Sequence, residues 1–517
     1  MPEPSVTAVS ASQPWVEERL SSSGGGTVTV AHHPLLPTGN VPGMTQTQER
    51  VHAIADDALG TDDATAVAAR IRAGEISPRE AVEAAVARVR SVEALGAVTV
   101  WDDERALRRA DALGTGGAGA FHGVPCAIKE NVLAAGLPIR MGSEAVPDTL
   151  VTKDGGVATQ LLATGALPVV QTACPPFGWT ATTERVGPLN TLNPWHTGFS
   201  AGGSSGGTAA LVAAGALPFG HGNDGGGSIR IPAAACGLVG LKATRGRFAA
   251  DSTTTRMPVK IVVDGVLTRT VRDTARYLAA AEAQQPAKGW ERVGLVEGPV
   301  ERRLRVGVLV DSPLAPATDD ETAVAVRQTA DLLATLGHRI DDSYSPAVPA
   351  AFKEDFLHYW SMLAFAIHRD GPRMFGPAFD RSRLDPFTLG LSRYFARRVY
   401  RFPYTLARTA AAGAVYDRTL VDVDVVLTPV LTHTTPQIGY LAADLDFETH
   451  LERVSAYVGF TPLHNVTGAP AISLPLGRTS DGRPIGVMIQ ARRGQDRMLL
   501  ELAHELEAAA PFARVWD

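Results

Sequence analysis

The chain has few of the residues that mark an extracellular or metal-dependent protein. Only three cysteines occur, Cys126, Cys174 and Cys236, widely spaced and without a C-x-x-C pair. That excludes a disulfide framework and a cysteine-based zinc site, and it fits a reducing, cytoplasmic setting. No block of five or more like charges is present and the net charge is only -6, so the electrostatic footprint of a nucleic-acid partner is missing. The apolar runs near 161–170 and 209–219 are broken by Gly or Pro and fall short of the roughly 18 residues that a membrane span needs. Neither nucleic acid nor membrane is expected as a partner. A small molecule is, and a homodimer is compatible with this reading.

Lysine is scarce as well. Lys129, Lys153, Lys242, Lys260, Lys288 and Lys353 are six of the 48 basic residues, and the other 42 are arginine. A guanidinium stays protonated in proteins, so a basic group that must lose its proton near neutral pH has to be lysine. Each lysine is therefore worth weighing as a base, although most are expected to be ordinary surface cations.

Residues 1–43 are rich in Ser, Gly, Thr and Pro and lack the basic and apolar regions of a signal peptide. They are expected to form a disordered, dispensable leader, with Met44 as an alternative start and 44–517 as the folded part. A helical pattern begins at Asp63 and ends at Gly74. Ser77-Pro78-Arg79-Glu80 then reads as a capping box with proline at the first helical position. Short apolar strands such as 124–128 and 167–171 alternate with alanine-rich helices, the pattern of an α/β sheet protein. Near the end Leu499, Leu502, Ala503 and Leu506 share one helical face, and Asp496 is its expected acidic start. Within 344–410 the composition changes: 13 of the 32 aromatics fall in 352–404, Phe356, Tyr359, Trp360, Tyr394 and Tyr400 among them. Such a helical part can pack a core of its own, wall an apolar pocket over an active site, or do both.

The most informative stretch is 200–232. Gly202, Gly203, Gly206 and Gly207 bracket Ser204 and Ser205, and Gly225, Gly226 and Gly227 stand directly before Ser228. Glycines let backbone N–H groups converge on one point, as a developing oxyanion requires. The alanine-rich run between the two clusters can form a helix with its positive N-terminal end near Ser204 and Ser205. Two shorter motifs also occur here. Gly202 to Gly206 fits G-x-S-x-G, a nucleophile elbow that would require a downstream acid and a histidine such as His464. Gly220 to Gly225 fits G-x-G-x-x-G, but the run before it is helix-like, and Lys242, Thr244 and Arg245 stand where a ribose-binding acid is wanted. His122, His196 and His221 show no metal-ligand spacing, and neither cofactor nor metal is expected.

GGSSGG followed 24 residues later by the serine of DGGGSIRIPAA resembles the amidase signature family. Similarity continues through GVPCAIKENV, GLVGLKATRGR, GVLTRTVRD, VVLTPV and FTPLHNVTGAPAISLPLG, over roughly 44–517. The resemblance implies an α/β fold with a mixed central sheet covered by helices on both faces. It also implies a catalytic triad of Lys129, Ser204 and Ser228, with a cis peptide bond between Gly203 and Ser204. In that scheme an unprotonated Lys129 takes a proton from Ser204, which takes the proton of Ser228 as that oxygen attacks an amide carbon. The N–H groups of Gly225, Gly226, Gly227 and Ser228 would hold the oxyanion. Ser205, Asp224 and Arg230 are expected to support the loop rather than touch substrate.

Two departures from the family pattern stand out. Where relatives usually have T-N-x-P-E-F, this chain has Thr172-Ala173-Cys174-Pro175-Pro176-Phe177, which suggests a more apolar neighbourhood. The run DGGGSIRIPA is similar to the branch that includes 6-aminohexanoate cyclic-dimer hydrolases, extending the expected amide substrates to linear or cyclic oligoamides. A glutamine-hydrolysing subunit of a tRNA-dependent amidotransferase is the alternative within the family. Ile231, where that subunit usually has Gln, opposes it. An inactive binding protein on the same fold is opposed by three filled triad positions.

Overall fold

The computed structural model describes the backbone of Val16–Ser21 and Thr27–His32, and residues 50–517 apart from 115, 188, 189, 300 and 347. The leader expected over 1–43 thus lies outside the described residues, except for those two strands. They pair with each other antiparallel at one edge of the sheet, an arrangement that the composition did not announce.

Local signals in the sequence set several element ends. The Asp63 side chain caps Ala64–Ala73 by accepting from the Ala66 N–H, and Gly74 closes the helix in the left-handed region. Ser77 and Glu80 exchange side-chain and backbone hydrogen bonds at the start of Pro78–Ser91, with proline at the first position. Each such cap is worth roughly 1 kcal/mol because it satisfies N–H groups that the helix cannot. Asp496 does open the last helix, Asp496–Ala509. Its carboxylate is buried, however, where it accepts from Thr244 N and Oγ1 at 2.7 and 2.6 Å and from Arg247 Nε at 2.6 Å. That side chain ties two distant segments together as well as favouring the helix end.

Among the described residues one mixed sheet carries thirteen strands. Their order is Val16–Ser21, Thr27–His32, Val98–Trp101, Leu167–Thr172, Pro125–Lys129, Phe219–Asp224, Val263–Thr268, Val239–Lys242, Ala471–Arg478, Pro484–Ala491, Val425–Pro429, Arg305–Val308 and Arg339–Asp341. Every residue of Pro125–Lys129, Val263–Thr268 and Pro484–Ala491 is buried. Helices therefore cover both faces, which is why these strands read as apolar runs instead of alternating. No helix among the described residues is long and apolar enough to cross a membrane.

Two features of this sheet position the site. Pro125–Lys129 and Phe219–Asp224 are parallel neighbours, with Ala127 opposite Gly220, so their C-terminal ends lie together and bring Lys129 beside Asn223. The helix Gly206–Ala213 packs against the second strand, where a Cβ at Gly220 would stand 2.5 Å from Thr208 Cγ2, and against the chain after Leu167–Thr172, where a Cβ at Gly207 would stand 2.6 Å from the Ala173 nitrogen. Any larger residue there would lift Ser204 and Ser205 away from Lys129.

The aromatic region forms the helices Phe352–Phe375, Pro386–Ala396 and Phe402–Thr419. The first two, with the segment between them, share a buried cluster of Phe375, Phe379, Phe387 and Leu391, which also takes in Phe177 and Trp179 from the chain that leads to the glycine-serine segment; Phe402 and Leu406 of the third pack with Tyr359 and Phe356 of the first. The region has a core of its own and is joined through that core to the site.

Candidate active site

Lys129 ends its strand with no solvent exposure. Its Nζ lies 2.7 Å from Ser204 Oγ, 3.1 Å from Ser205 Oγ and 2.7 Å from Asn223 Oδ1. All three neighbours are uncharged, so an ammonium here loses its hydration without gaining a counter-ion. Burial accordingly brings the lysine down from 10.5 to about 8. The partner set serves both forms: as an ammonium Lys129 donates one N–H to each of Ser204, Ser205 and Asn223, and as a neutral amine it can keep the bonds to Ser205 and Asn223 and offer its lone pair to the Ser204 hydroxyl.

Ser204 follows a cis peptide bond from Gly203, as the resemblance implied, and is buried with Ser205. Ser205 also accepts from the Asn223 N–H at 3.4 Å, so its hydroxyl links Lys129 to the neighbouring strand. Ser228 is 7% exposed. It lines a cavity, and its hydroxyl has no protein hydrogen-bond partner among the described residues.

The loop that presents Ser228 is built around a buried ion pair. Asp224 meets the Arg230 guanidinium through two bonds, Nη2 to Oδ1 at 2.8 Å and Nε to Oδ2 at 2.9 Å, and neither residue is exposed. Burial alone would raise the Asp224 carboxyl, but Arg230 holds it well below the usual carboxylate range. The same carboxylate accepts from the backbone N–H of Gly227 at 2.8 Å and of Ile229 at 3.2 Å. Arg230 continues to Asn465 Oδ1 at 2.8 Å and His464 Nδ1 at 3.1 Å, and Thr461 Oγ1 donates to the Gly226 carbonyl at 2.6 Å.

This geometry corrects one expectation and removes another. Gly227 was expected to donate to an oxyanion, yet its N–H is committed to Asp224. The N–H groups of Gly225, Gly226 and Ser228 have no bonded acceptor among the described residues and are the donors left. Gly227 is needed instead for its shape, since its φ is 134° and a Cβ would stand 2.4 Å from Thr461 Oγ1. His464, the candidate base of an elbow-type triad, bonds Arg230 and Gln490. Burial pushes it well below its ordinary value, with Arg230 adding to the effect. It is a neutral brace for the loop.

In front of Ser228 and Gly226 lies a cavity of about 120 Å³. Its walls include Trp179, Phe356, Trp360, Phe387 and Leu391. Trp360 meets Trp179 edge-on at 5.0 Å and stacks on Phe356 at 5.5 Å. Tyr394, grouped with these residues on composition, does not line this cavity; its ring lies 4.0 Å from the Arg398 guanidinium carbon.

The neighbourhood of Cys174 is not the apolar one that the sequence suggested. The Cys174 N–H donates to Glu130 Oε1 at 3.0 Å, and the fully buried Glu130 is paired with Arg185. Glu130 follows Lys129 directly, and its side chain serves this ion pair rather than the lysine.

Sequence reasoning missed Asn223 as a partner of Lys129 and missed Asn465, His464 and Thr461 as supports of the glycine loop. Asn223 could have been found only by knowing that its strand lies parallel to that of Lys129. The other three come from a segment more than 230 residues away, where no local pattern points to the loop.

The family model described as Amidase matches residues 80–500. A Mycobacterium tuberculosis protein named "Putative amidase AmiC" is 46% identical over 468 residues, covering 90% of this chain and 98% of that one. The 6-aminohexanoate-cyclic-dimer hydrolase of Pseudomonas sp. is 35% identical over 483 residues, covering 87% and 95%. A solved 6-aminohexanoate cyclic dimer hydrolase superposes with a TM-score of 0.78 at 32% identity, over 88% of this chain and 98% of that one.

Proposed function

Since the chain belongs to the amidase signature family and is a hydrolase of carboxylic amides, we propose that Ser228 is the nucleophile, Ser204 the proton carrier and Lys129 the base. The observation that carries this assignment is the 2.7 Å contact between Lys129 Nζ and Ser204 Oγ in a site without a hydrogen-bonded counter-ion, together with a Ser228 that lines the cavity.

In this reading the Ser228 oxygen attacks the amide carbon as its proton passes to Ser204, whose own proton passes to neutral Lys129. The carbonyl oxygen becomes an oxyanion held by the N–H groups of Gly225, Gly226 and Ser228, each such donor being worth roughly 3 kcal/mol. Ser204 then protonates the departing nitrogen and recovers its proton from Lys129. The C–N bond breaks, amine or ammonia leaves, and the acyl group stays on Ser228. Water enters and attacks the acyl carbon as its proton passes to the same relay; the bond to the Ser228 oxygen then breaks, that oxygen takes the proton back from Ser204, and the acid leaves. Ser205, Asp224 and Arg230 position the relay and the loop.

The substrates we infer are amides with a predominantly apolar acyl or amine portion, linear or cyclic oligoamides included. The aromatic walls of the cavity and the likeness to a cyclic-dimer hydrolase support this. We read the enzyme as cytoplasmic, in keeping with three buried free thiols. Neither the glutamine-hydrolysing subunit nor the inactive binding protein is favoured, because relatives spanning nearly the whole chain carry amidase and hydrolase names and all three triad positions are filled.

A fluorophosphonate that reacts with activated serines tests the assignment. Peptide mapping should place the adduct on Ser228, and Ser204→Ala should slow labelling without moving it. An adduct on Ser204 would reverse the two roles.

A further inference from the structure

Beside the cavity at Ser228 lies a second one of about 170 Å³. Phe352 and Phe356, four residues apart on the helix Phe352–Phe375, line both. The helix Pro462–Thr467 is shared too: Pro462 lines the first cavity, and Leu463, Val466 and Thr467 line the second. The far wall of the second cavity comes from Phe402–Thr419, through Ala412, Val415 and Tyr416.

Charge is matched within this second space. Arg408 Nε and Nη2 both meet the Asp355 carboxylate at 2.6 Å, so the two charged groups in the lining neutralise each other. Apart from three threonines and Tyr416, whose hydroxyl donates to Gln490, the remaining lining is apolar. Arg408 is half-exposed, so this space is open to water on that side, and a carboxylate or an ammonium brought here would find the charge that it could pair with already spent on the other residue. An uncharged chain has no charge to desolvate on entry. The partition between the cavities is thin. Phe356 is held by its stack on Trp360 at 5.5 Å, whereas Phe352 has no aromatic partner among the described residues and is the side chain freer to give way.

We propose that the second cavity receives the distal part of an elongated, uncharged amide whose scissile carbonyl lies at Ser228, with Phe352 and Phe356 as the partition that selects chain length. The proposal rests on the amidase reading. It makes Phe352, Ala412 and Val415 specificity-determining residues, although none of them touches the reacting atoms. Each methylene buried beyond the partition should raise kcat/KM by about fourfold, the equivalent of roughly 0.8 kcal/mol.

The test is a series of N-acyl-4-nitroanilides and matching primary amides from acetyl to dodecanoyl. It uses the unmodified full chain, Ala412→Trp, Val415→Phe and Phe352→Leu. For the unmodified enzyme kcat/KM should climb again past the length that fills the first cavity. Ala412→Trp and Val415→Phe, which fill the second cavity from its far wall, should lower kcat/KM for the long members at least tenfold more than for acetyl. Phe352→Leu should move the favoured length upward. Acetyl turnover combined with equal losses along the series, or with a profile that stops at the first cavity, overturns the proposal alone. Failure to hydrolyse any member of either series overturns the amidase reading and the proposal with it.

Discussion

Replacing Lys129 by Arg should leave a folded, nearly inactive protein. The reason lies in how little of an ordinary lysine is available as a base. A lysine titrating near 10.4 is neutral in roughly 0.04% of molecules at pH 7. Burial among Ser204, Ser205 and Asn223 brings Lys129 to about 8, which makes about one molecule in eleven neutral at that pH. The base population grows roughly 200-fold, equivalent to about 3 kcal/mol at 1.36 kcal/mol per tenfold. Arginine offers no such population, because a guanidinium stays protonated above pH 12.

General-base assistance contributes roughly 10²- to 10⁴-fold, so we expect Lys129→Arg and Lys129→Met to lose at least a hundredfold in kcat/KM. The assay is release of 4-nitroaniline from an acyl anilide, with circular dichroism to confirm folding. The sign of the pH dependence follows from the same chemistry. The working form is the one that has lost its proton, so kcat/KM of the unmodified enzyme should rise about tenfold per pH unit below 8 and level off above it. A folded Lys129→Arg enzyme with near-normal turnover would refute the base assignment, and so would a profile that is flat between pH 6 and 9.

Asn223→Asp should place a carboxylate next to the Lys129 amine, favour its charged form and move the inflection up by at least one pH unit; activity at pH 7 falls while that at pH 10 recovers, and an unmoved inflection contradicts the contact. Gly227→Ala should cost a hundredfold or more in kcat with secondary structure retained, since the left-handed backbone and Thr461 leave no room for a Cβ; a kcat within twofold of the unmodified value would show that the loop adapts. Trp360→Ala should raise KM for bulky aryl amides roughly tenfold to a hundredfold, in line with about 1.5 to 3 kcal/mol for a buried aromatic contact. Small aliphatic amides should change far less, and equal changes would leave Trp360 as packing only.

What could be read from the sequence followed from spacing within a segment. The caps at Asp63 and Ser77 need only three or four residues of context, and the structure forms both. Strand 124–128 is found at Pro125–Lys129, one residue later at each end. The pairing of Lys129 with Ser204 was legible because the resemblance brought three remote positions into one scheme. The loss of Gly227 as an oxyanion donor was not. Glycine before a nucleophile is equally compatible with a free N–H and with one spent on a carboxylate, and only the placement of Asp224 decides. Tyr394 failed for a similar reason: composition locates an aromatic in a helix, but which side of the helix meets the cavity depends on how three helices pack.

The two buried ionic arrangements at this site work in opposite senses, and that contrast explains why the loop between them is so constrained. Around Lys129 every hydrogen-bonded partner is uncharged, so the more distant carboxylates of Asp264, Glu130 and Asp224 offset burial only in part and the amine is drawn toward neutrality. Around Asp224 the charge is met by Arg230 and by backbone N–H groups, so burial is offset and the carboxylate stays ionised. Breaking such a buried pair leaves an uncompensated charge and costs about 3 to 5 kcal/mol. Asp224 directly follows Asn223, and on the extended strand successive side chains point to opposite faces. One residue contacts the base while the next anchors the glycine loop. A one-residue shift that put Asp224 in the place of Asn223 would bring the carboxylate to Lys129 and take it from Arg230, charging the base and releasing the loop in a single step. The register of Phe219–Asp224, fixed by its ladder of six residues with Val263–Thr268, is therefore as much a condition of the proposed chemistry as the serines are.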